Sequence, residues 1–313
     1  MKRFIILSFL VIIVVIAYLS SKTLGGQNNE VYEAFFIKLP INSAQRGITQ
    51  IKKWKAFFPG KSIDDSTYEI DNTVFKIKRT MLTGIQLESY EKNDPEIQWT
   101  ADINAIEMRD SAFIQFYLKK LPAEETIWSR LSTKNKTSHQ KKNYEKICSS
   151  AVSYFESIKN VYGYNIVETN VKDSLLLTTN ITSADTPSIK TIYELVDRLK
   201  LVMSEKGEKA LDSPMLNITQ IETNLVSTTV AIPIHRRIDV TGNIKLKNMV
   251  LGRILEANVD GGKSAIKQAF SAMEYYRMDR QKISPAMPFE TLLNYRQGIP
   301  DSLWRTKISL PVY

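Results

Sequence analysis

Apolar positions along the chain follow three different patterns. Phe4 to Leu19 is a continuous apolar run broken only by Ser8. Next, "EAFFIKLPI" reads as a strand, and "AQRGITQIKKWKAFFPG" carries helical spacing through Ile48, Ile51 and Trp54 until Pro59 and Gly60 stop it. Short alternating segments follow at Tyr68–Ile70, Val74–Met81, Ile85–Tyr90, Ile97–Ile106 and Ala112–Leu118, separated by turn residues such as "KNDPE". They predict a run of antiparallel strands. A long helix is expected over about Lys141–Asn160, because Tyr144, Ile147, Cys148, Ala151, Tyr154, Phe155 and Ile158 share one stripe.

The third pattern is written twice. The chain ends on "TKISLPVY", and 78 positions earlier it spells "TTVAIPIH". Upstream of the first copy stand the extended "YGYNIVETNV", the apolar "LLLTTNIT", a helix over about Pro187–Lys206 and "PMLNITQIE". Upstream of the second stand "GNIKLKNM", "VLGRILEANV", a helix over about Lys263–Arg280 and "PFETLLNY". Each half reads β, β, α, β, β, so two units can bury each other's helices and sheets. The expected fold class is α+β: a transmembrane helix in residues 1–24, an antiparallel-sheet domain in 25–160, and a duplicated ββαββ domain in 161–313, with repeats 161–236 and 242–313.

The apolar run of 16 residues spans about 24 Å as a helix, and Ser20, Ser21 and a snorkelling Lys22 extend it towards a bilayer's apolar thickness. A cleavable signal peptide is the alternative. The small residues it needs before the cut are poorly supplied by "AYLSSKTLGG", so an uncleaved anchor is favoured. Lys2 and Arg3 orient the amino terminus to the cytoplasm, which places the domains of a bacterial inner-membrane protein in the periplasm. The net charge of +9 does not change this picture: basic residues are scattered among 33 acidic ones, and the densest cluster, Lys134–Lys146, reads as a solvated helix face, with no nucleic-acid partner expected. A single cysteine, Cys148, excludes an intrachain disulfide or a cysteine metal site, and only His139 and His235 are available for imidazole chemistry. The 12 glycines never form a Rossmann or P-loop spacing, and no cofactor is expected.

Two resemblances follow from these motifs. Residues 25–160, by their order of elements and by "LP" followed by "IKKWKAFFPG", resemble the polyketide-cyclase-like (START, SRPBCC) helix-grip family. That resemblance implies an apolar cavity between sheet and helix; the residues themselves allow the plainer reading that Trp54, Phe57, Phe58, Trp99 and Tyr154 are core. Residues 164–313, through "AIPI", "SLPV", "GRILEANVDGG" and "PFETLLNY", resemble the gyrase-inhibitor-like (GyrI-like) effector-binding domain of multidrug-responsive transcription activators, a relative of the SOUL haem-binding proteins. This second resemblance implies a cleft between the repeats that takes planar, often cationic, apolar molecules, with a buried glutamate. Glu290 matches that glutamate, and Tyr275, Tyr276, Tyr295, Phe289 and Trp304 are the aromatic candidates for the walls.

The chain departs from that family at two places, with Lys263 in "DGGKSAI" where an aromatic is usual and Lys307 where an acid is usual. Both add positive charge near the expected cleft mouth and leave neutral or anionic ligands open. No helix-turn-helix precedes the domain, so an activator role does not carry over. The expected function is a membrane-anchored, non-enzymatic binding protein for small apolar or amphipathic molecules, a sensor or scavenger. One alternative is a small-molecule hydrolase with Glu290 as base and Tyr295 or Tyr276 as acid; another is a structural envelope protein. Glu290 itself can also be read as a solvated edge-strand residue with ordinary aromatic packing around it.

Overall fold

The computed structural model describes residues 30–121, 127–171 and 175–313, and the backbone alone over 127–135. The expected anchor at Phe4–Leu19 lies outside the described residues. Among the described residues, no helix is long and apolar enough to cross a membrane. The chain divides into two compact units, one ending at Tyr154 and the other spanning Phe155–Tyr313.

In the first unit, β1 (Glu30–Ile37) turns at Pro40 into α1 (Ile41–Thr49) and α2 (Ile51–Phe57). The single helix expected over this stretch is two, because Gln50 is extended (φ −79°, ψ 92°). The break folds α2 back so that the Trp54 indole N–H donates to the Ile48 carbonyl at 2.7 Å and caps the end of α1. Six further strands follow: β2 (Lys61–Ser62), β3 (Thr67–Ile70), β4 (Thr73–Thr80), β5 (Gly84–Glu91), β6 (Asp94–Met108) and β7 (Ser111–Lys120). They form one antiparallel sheet in the order β1-β7-β6-β5-β4-β3-β2. Strict alternation selects its covered face: Ala112, Ile114, Phe116 and Leu118 on β7 and Trp99, Ala101, Ile103 and Ala105 on β6 are buried.

The long helix α3 (Ile127–Phe155) begins well before the stretch expected from its apolar stripe. Its inner face carries Tyr144, Ile147, Cys148 and Ala151, all buried, and the Tyr144 ring packs 5.4 Å from Phe75 and 5.7 Å from Phe116. The basic run lies on its flank, where sheet carboxylates answer it: Lys136 pairs with Asp94, Lys141 with Glu33 at 3.0 Å and Lys146 with Asp71 at 3.3 Å. Hydrophobic spacing misses the start of α3 because the apolar stripe that reveals the helix begins only at Tyr144.

The second unit opens with α4 (Ile158–Tyr162), capped by the Ser157 hydroxyl and closed by Gly163 in the left-handed region at φ 85°. Then come β8 (Val167–Asn170), β9 (Leu175–Ser183), α5 (Ile189–Glu205), β10 (Met215–Glu222), β11 (Leu225–Ile234), β12 (Ile244–Asn248), β13 (Arg253–Asp260), α6 (Lys263–Asp279), β14 (Phe289–Leu292) and β15 (Arg305–Val312). The eight-stranded sheet has the order β12-β9-β11-β10-β14-β15-β13-β8. Exchanging each strand for its counterpart in the other repeat returns the same order reversed, which is the signature of an internal twofold. Its axis passes between β10 and β14, and each repeat lends its first strand to the far edge of the other.

The pairing registers fix the correspondence residue by residue. Pro233 faces Leu176 and Pro311 faces Ile254, and both proline and partner are displaced by 78 positions. On β10 and β14 the displacement is 74, because Met215 faces Ala231 while Phe289 faces Ser309. The helices keep 74, Ile189 matching Lys263. Four residues are thus lost at the turn before α6 and regained between β14 and β15. The short turn needs glycine: a Cβ on Gly262 would stand 2.2 Å from Asp301 Oδ2. The regained residues build the loop that carries Arg296. At the axis, Leu216 on β10 is both the counterpart of Glu290 and its pairing partner, so the twofold places an apolar side chain opposite a carboxylate.

Candidate functional site

A cleft of about 990 Å³ opens over the axis strands, walled by α5 on one side and α6 on the other. Leu216, Glu290 and Leu310 form its floor, Ile189 and Ile192 face Ile266 and Phe270 across it, and Tyr275, Met278 and Met287 stand at its edge. The size suits a drug-sized organic molecule, and the lining is mostly apolar with few polar groups. Tyr275, Met278 and Met287 are each more than half exposed, which leaves an apolar lip at the rim.

Glu290 faces inward, but it does not face the cleft alone. Arg296, whose side chain is 2% exposed, donates from Nη1 to Glu290 Oε2 at 3.0 Å and from Nη2 to Thr306 Oγ1. Its backbone N–H donates to the Tyr193 hydroxyl at 2.9 Å, that hydroxyl donates to the Asn294 carbonyl, and the guanidinium lies 4.9 Å over the Trp304 ring. Burial pushes the Glu290 carboxyl above the ordinary carboxylate range, while Arg296 and the nearby Lys263 pull it back. The buried carboxylate that the resemblance implies thus finds a cation within the chain itself.

Of the aromatic candidates, Phe289 and Trp304 line the cleft with Glu290, and Tyr275 does so as well. Tyr276 and Tyr295 do not line it. One helical residue past Tyr275 is a rotation of about 100°, and Tyr276 is turned inward, edge-on to Tyr162 at 5.2 Å and under the Arg280 guanidinium at 3.9 Å. Tyr295 lies 4.4 Å from the Tyr193 ring and donates to Gln297 Oε1. The carboxylate and tyrosine pair required for the hydrolase alternative is consequently not assembled in the cleft. Lys263 is on the wall as expected, whereas Lys307 points to the other face of β15, pairing with Glu256 at 3.2 Å. Its neighbours Thr306 and Ile308 occupy the helix-covered face, as strand alternation requires.

Lys267, Phe270 and Arg296 were not indicated by sequence. Phe270 falls at helical spacing from Ile266 and Met273 and reads as an ordinary core position, and Lys267 sits one turn beyond Lys263, so the helical repeat could have placed it on the same wall. Arg296 offers no such signal, because it lies on an irregular loop where no period relates it to Glu290.

No family model matches the chain, and no curated protein matches it. Among solved structures, the EcmrR C-terminal domain aligns at 14% identity over 48% of this chain and 98% of that one, with a TM-score of 0.41. A hydrolase from Listeria innocua aligns at 14% identity over 47% of this chain and 91% of that one (TM-score 0.36). SAV2435 bound to tetraphenylphosphonium aligns at 12% identity over 47% of this chain and 93% of that one (TM-score 0.31).

Proposed function

We propose that the carboxy-terminal unit is a small-molecule binding domain of the effector-binding type, with the cleft between α5 and α6 as its binding site. The observation that carries this reading is the cleft itself: about 990 Å³ of mostly apolar space over an internal twofold, with its one inward carboxylate already neutralised by Arg296. A folded domain gains nothing from such a void unless something fills it, since apolar lining without contacts forfeits packing energy. Glu290, Phe289 and Trp304 are retained as binding residues together with Tyr275, and Tyr276 and Tyr295 are assigned to packing. Since neither Tyr276 nor Tyr295 lines the cleft beside Glu290, binding without chemistry is the preferred activity, as in a sensor or scavenger.

Ser271 lines the cleft and is exposed, so Ser271→Trp is expected to fill the site without touching the core. Fluorescence titration of the full chain with an environment-sensitive apolar dye should show at least about a tenfold loss of affinity at an unchanged melting temperature. Undiminished dye binding would place the dye elsewhere and remove the support for this cleft.

For the amino-terminal unit, the strand order β1-β7-β6-β5-β4-β3-β2, the two helices after β1 and the long α3 support a helix-grip domain. Its interior is filled by aromatic side chains, so a structural role is assigned to it. The apolar run at Phe4–Leu19, preceded by Lys2 and Arg3, supports single-pass attachment to a bacterial inner membrane with both units in the periplasm. On that reading the chain stays in the membrane pellet after alkaline carbonate washing. Recovery in the supernatant, with an amino terminus beyond Ser21, would overturn it.

A further inference from the structure

We infer that the cleft is built for an anionic amphiphile: one acidic head group on an apolar body. This rests on the cleft being the binding site and adds the class of its ligand. Five charged side chains line the space, and they are not equivalent. Glu290 is held by Arg296, and Glu274 is held by Arg277. Among the described residues, Lys263 and Lys267 have no ion pair, so the charge left for a ligand to answer is positive.

The buried polar atoms agree with the charges. Among the lining residues, two buried side-chain atoms lack a hydrogen-bond partner, Arg296 Nε and Trp304 Nε1, and both are donors. An unpaired buried donor costs about 1–3 kcal/mol, and a carboxylate, sulfate or phosphate oxygen is the kind of group that relieves it. A cationic or purely apolar ligand would relieve neither donor. Asp301 puts a carboxylate against Gly262 at the start of α6, so the helix end is already faced by an acid and the lysine ammonium groups are what remains for a head group.

The apolar part of the ligand has a direction. Along α6 the wall runs from Lys263 and Lys267, past Ile266 and Phe270, to Tyr275 and Met278. The fifteen residue steps from Lys263 to Met278 cover about 22 Å, with positive charge at one end and an exposed apolar lip at the other. A head at the lysines and an extended chain leaving over Met278 and Met287 would cover both. The pseudo-twofold makes the polarity legible: the position that is Lys263 on α6 is Ile189 on α5, so only one wall carries the charge.

The test uses three photoreactive probes that share a chain and differ in the head: diazirine analogues of dodecanoate, dodecanol and dodecyltrimethylammonium. They are applied to the full chain in lipid nanodiscs, with labelled residues mapped by peptide mass spectrometry. Dodecanoate is expected to label cleft residues about tenfold more than the trimethylammonium probe. In Lys263→Glu/Lys267→Glu that preference should vanish or invert; both lysines are exposed, and acids in the first turns of a helix favour it. Equal or stronger labelling of the cleft by the cationic or neutral probe overturns the anionic class while leaving the cleft as a binding site. Labelling by none of the three overturns the cleft as the site as well.

Discussion

Arg296→Ala is expected to destabilise the chain by about 3–5 kcal/mol at neutral pH, the range for removing one partner of a buried ion pair. The loss has identifiable parts. Glu290 would be left facing an apolar floor of Leu216 and Leu310, the Thr306 hydroxyl would lose its guanidinium donor, and the Trp304 ring would lose the cation above it. The pH dependence gives the cause away. Burial already raises the Glu290 carboxyl above its unfolded value, and removing Arg296 takes away a downward pull. A group with a raised folded pKa stabilises fully below the unfolded carboxylate value of about 4.3 and loses that contribution as pH rises through the folded pKa. The deficit of Arg296→Ala should therefore shrink as denaturant melts are moved from pH 7 towards pH 5, where Glu290 can take up a proton. Arg296→Ala/Glu290→Gln should recover part of the loss at pH 7 and show little pH dependence. A deficit below about 1 kcal/mol, or one of equal size at both pH values, would show that Glu290 is solvated and the pair is worth no more than a surface ion pair.

The pair also explains why an asymmetric cleft can stand on a symmetric frame. Leu216 and Glu290 occupy the same position in their repeats and face each other across the axis. Had both remained apolar, the floor would be a uniform patch; had both been acidic, two carboxylates would share a buried site at a large electrostatic cost. One carboxylate with its own buried arginine marks one end of the floor with polar groups. The four residues regained between β14 and β15 are what reach back to supply that arginine.

How much of this the sequence reveals depends on the kind of interaction. The ββαββ repeat is legible because strand and helix periods are local, and the echo of "TTVAIPIH" in "TKISLPVY" gives its offset. All five second-repeat elements fall where their apolar patterns put them. The break at Gln50 is not legible, since Ile48, Ile51 and Trp54 keep helical spacing across it and only the long-range return of the Trp54 indole requires the kink. The early start of α3 is hidden for a different reason: the apolar stripe that reveals the helix begins at Tyr144, well after Ile127. At the site, Glu290 is reachable from the "PFETLLNY" motif and Phe289 and Trp304 as aromatics near it in sequence, whereas Tyr276 lies off the cleft because neighbouring helical residues point a quarter-turn and more apart. Arg296 is beyond sequence reading altogether; its role exists only once an irregular loop has closed over Thr306 and Tyr193.

Trp54→Ala carries the second large effect and decides what the amino-terminal unit's interior is for. A helix-grip domain with an open apolar cavity would tolerate truncation of a lining side chain, since no packed neighbours are lost. Trp54 is instead surrounded, with ring centroids at 5.0 Å from Phe57, 6.4 Å from Phe58 and 6.3 Å from Tyr68, and it is 1% exposed. Its neighbours continue the packing, Phe58 against Tyr68 at 4.6 Å and against Phe75 at 5.8 Å, and Phe75 against Tyr144 of α3. Truncating a tryptophan in such a core costs about 3–5 kcal/mol, and the Ile48 carbonyl also loses its indole donor at the end of α1. Amide hydrogen exchange of the full chain should show the loss as reduced protection in β3, β4 and α3. Trp54→Phe, which restores most of the ring but not the N–H, should recover the larger part of it. A cost below about 1 kcal/mol for Trp54→Ala, with protection in those elements intact, would mean that the indole faces open space and that this unit holds a ligand site of its own. The aromatic contacts predict the opposite: the interior is occupied by the chain's own rings, which leaves the cleft between α5 and α6 as the proposed binding site.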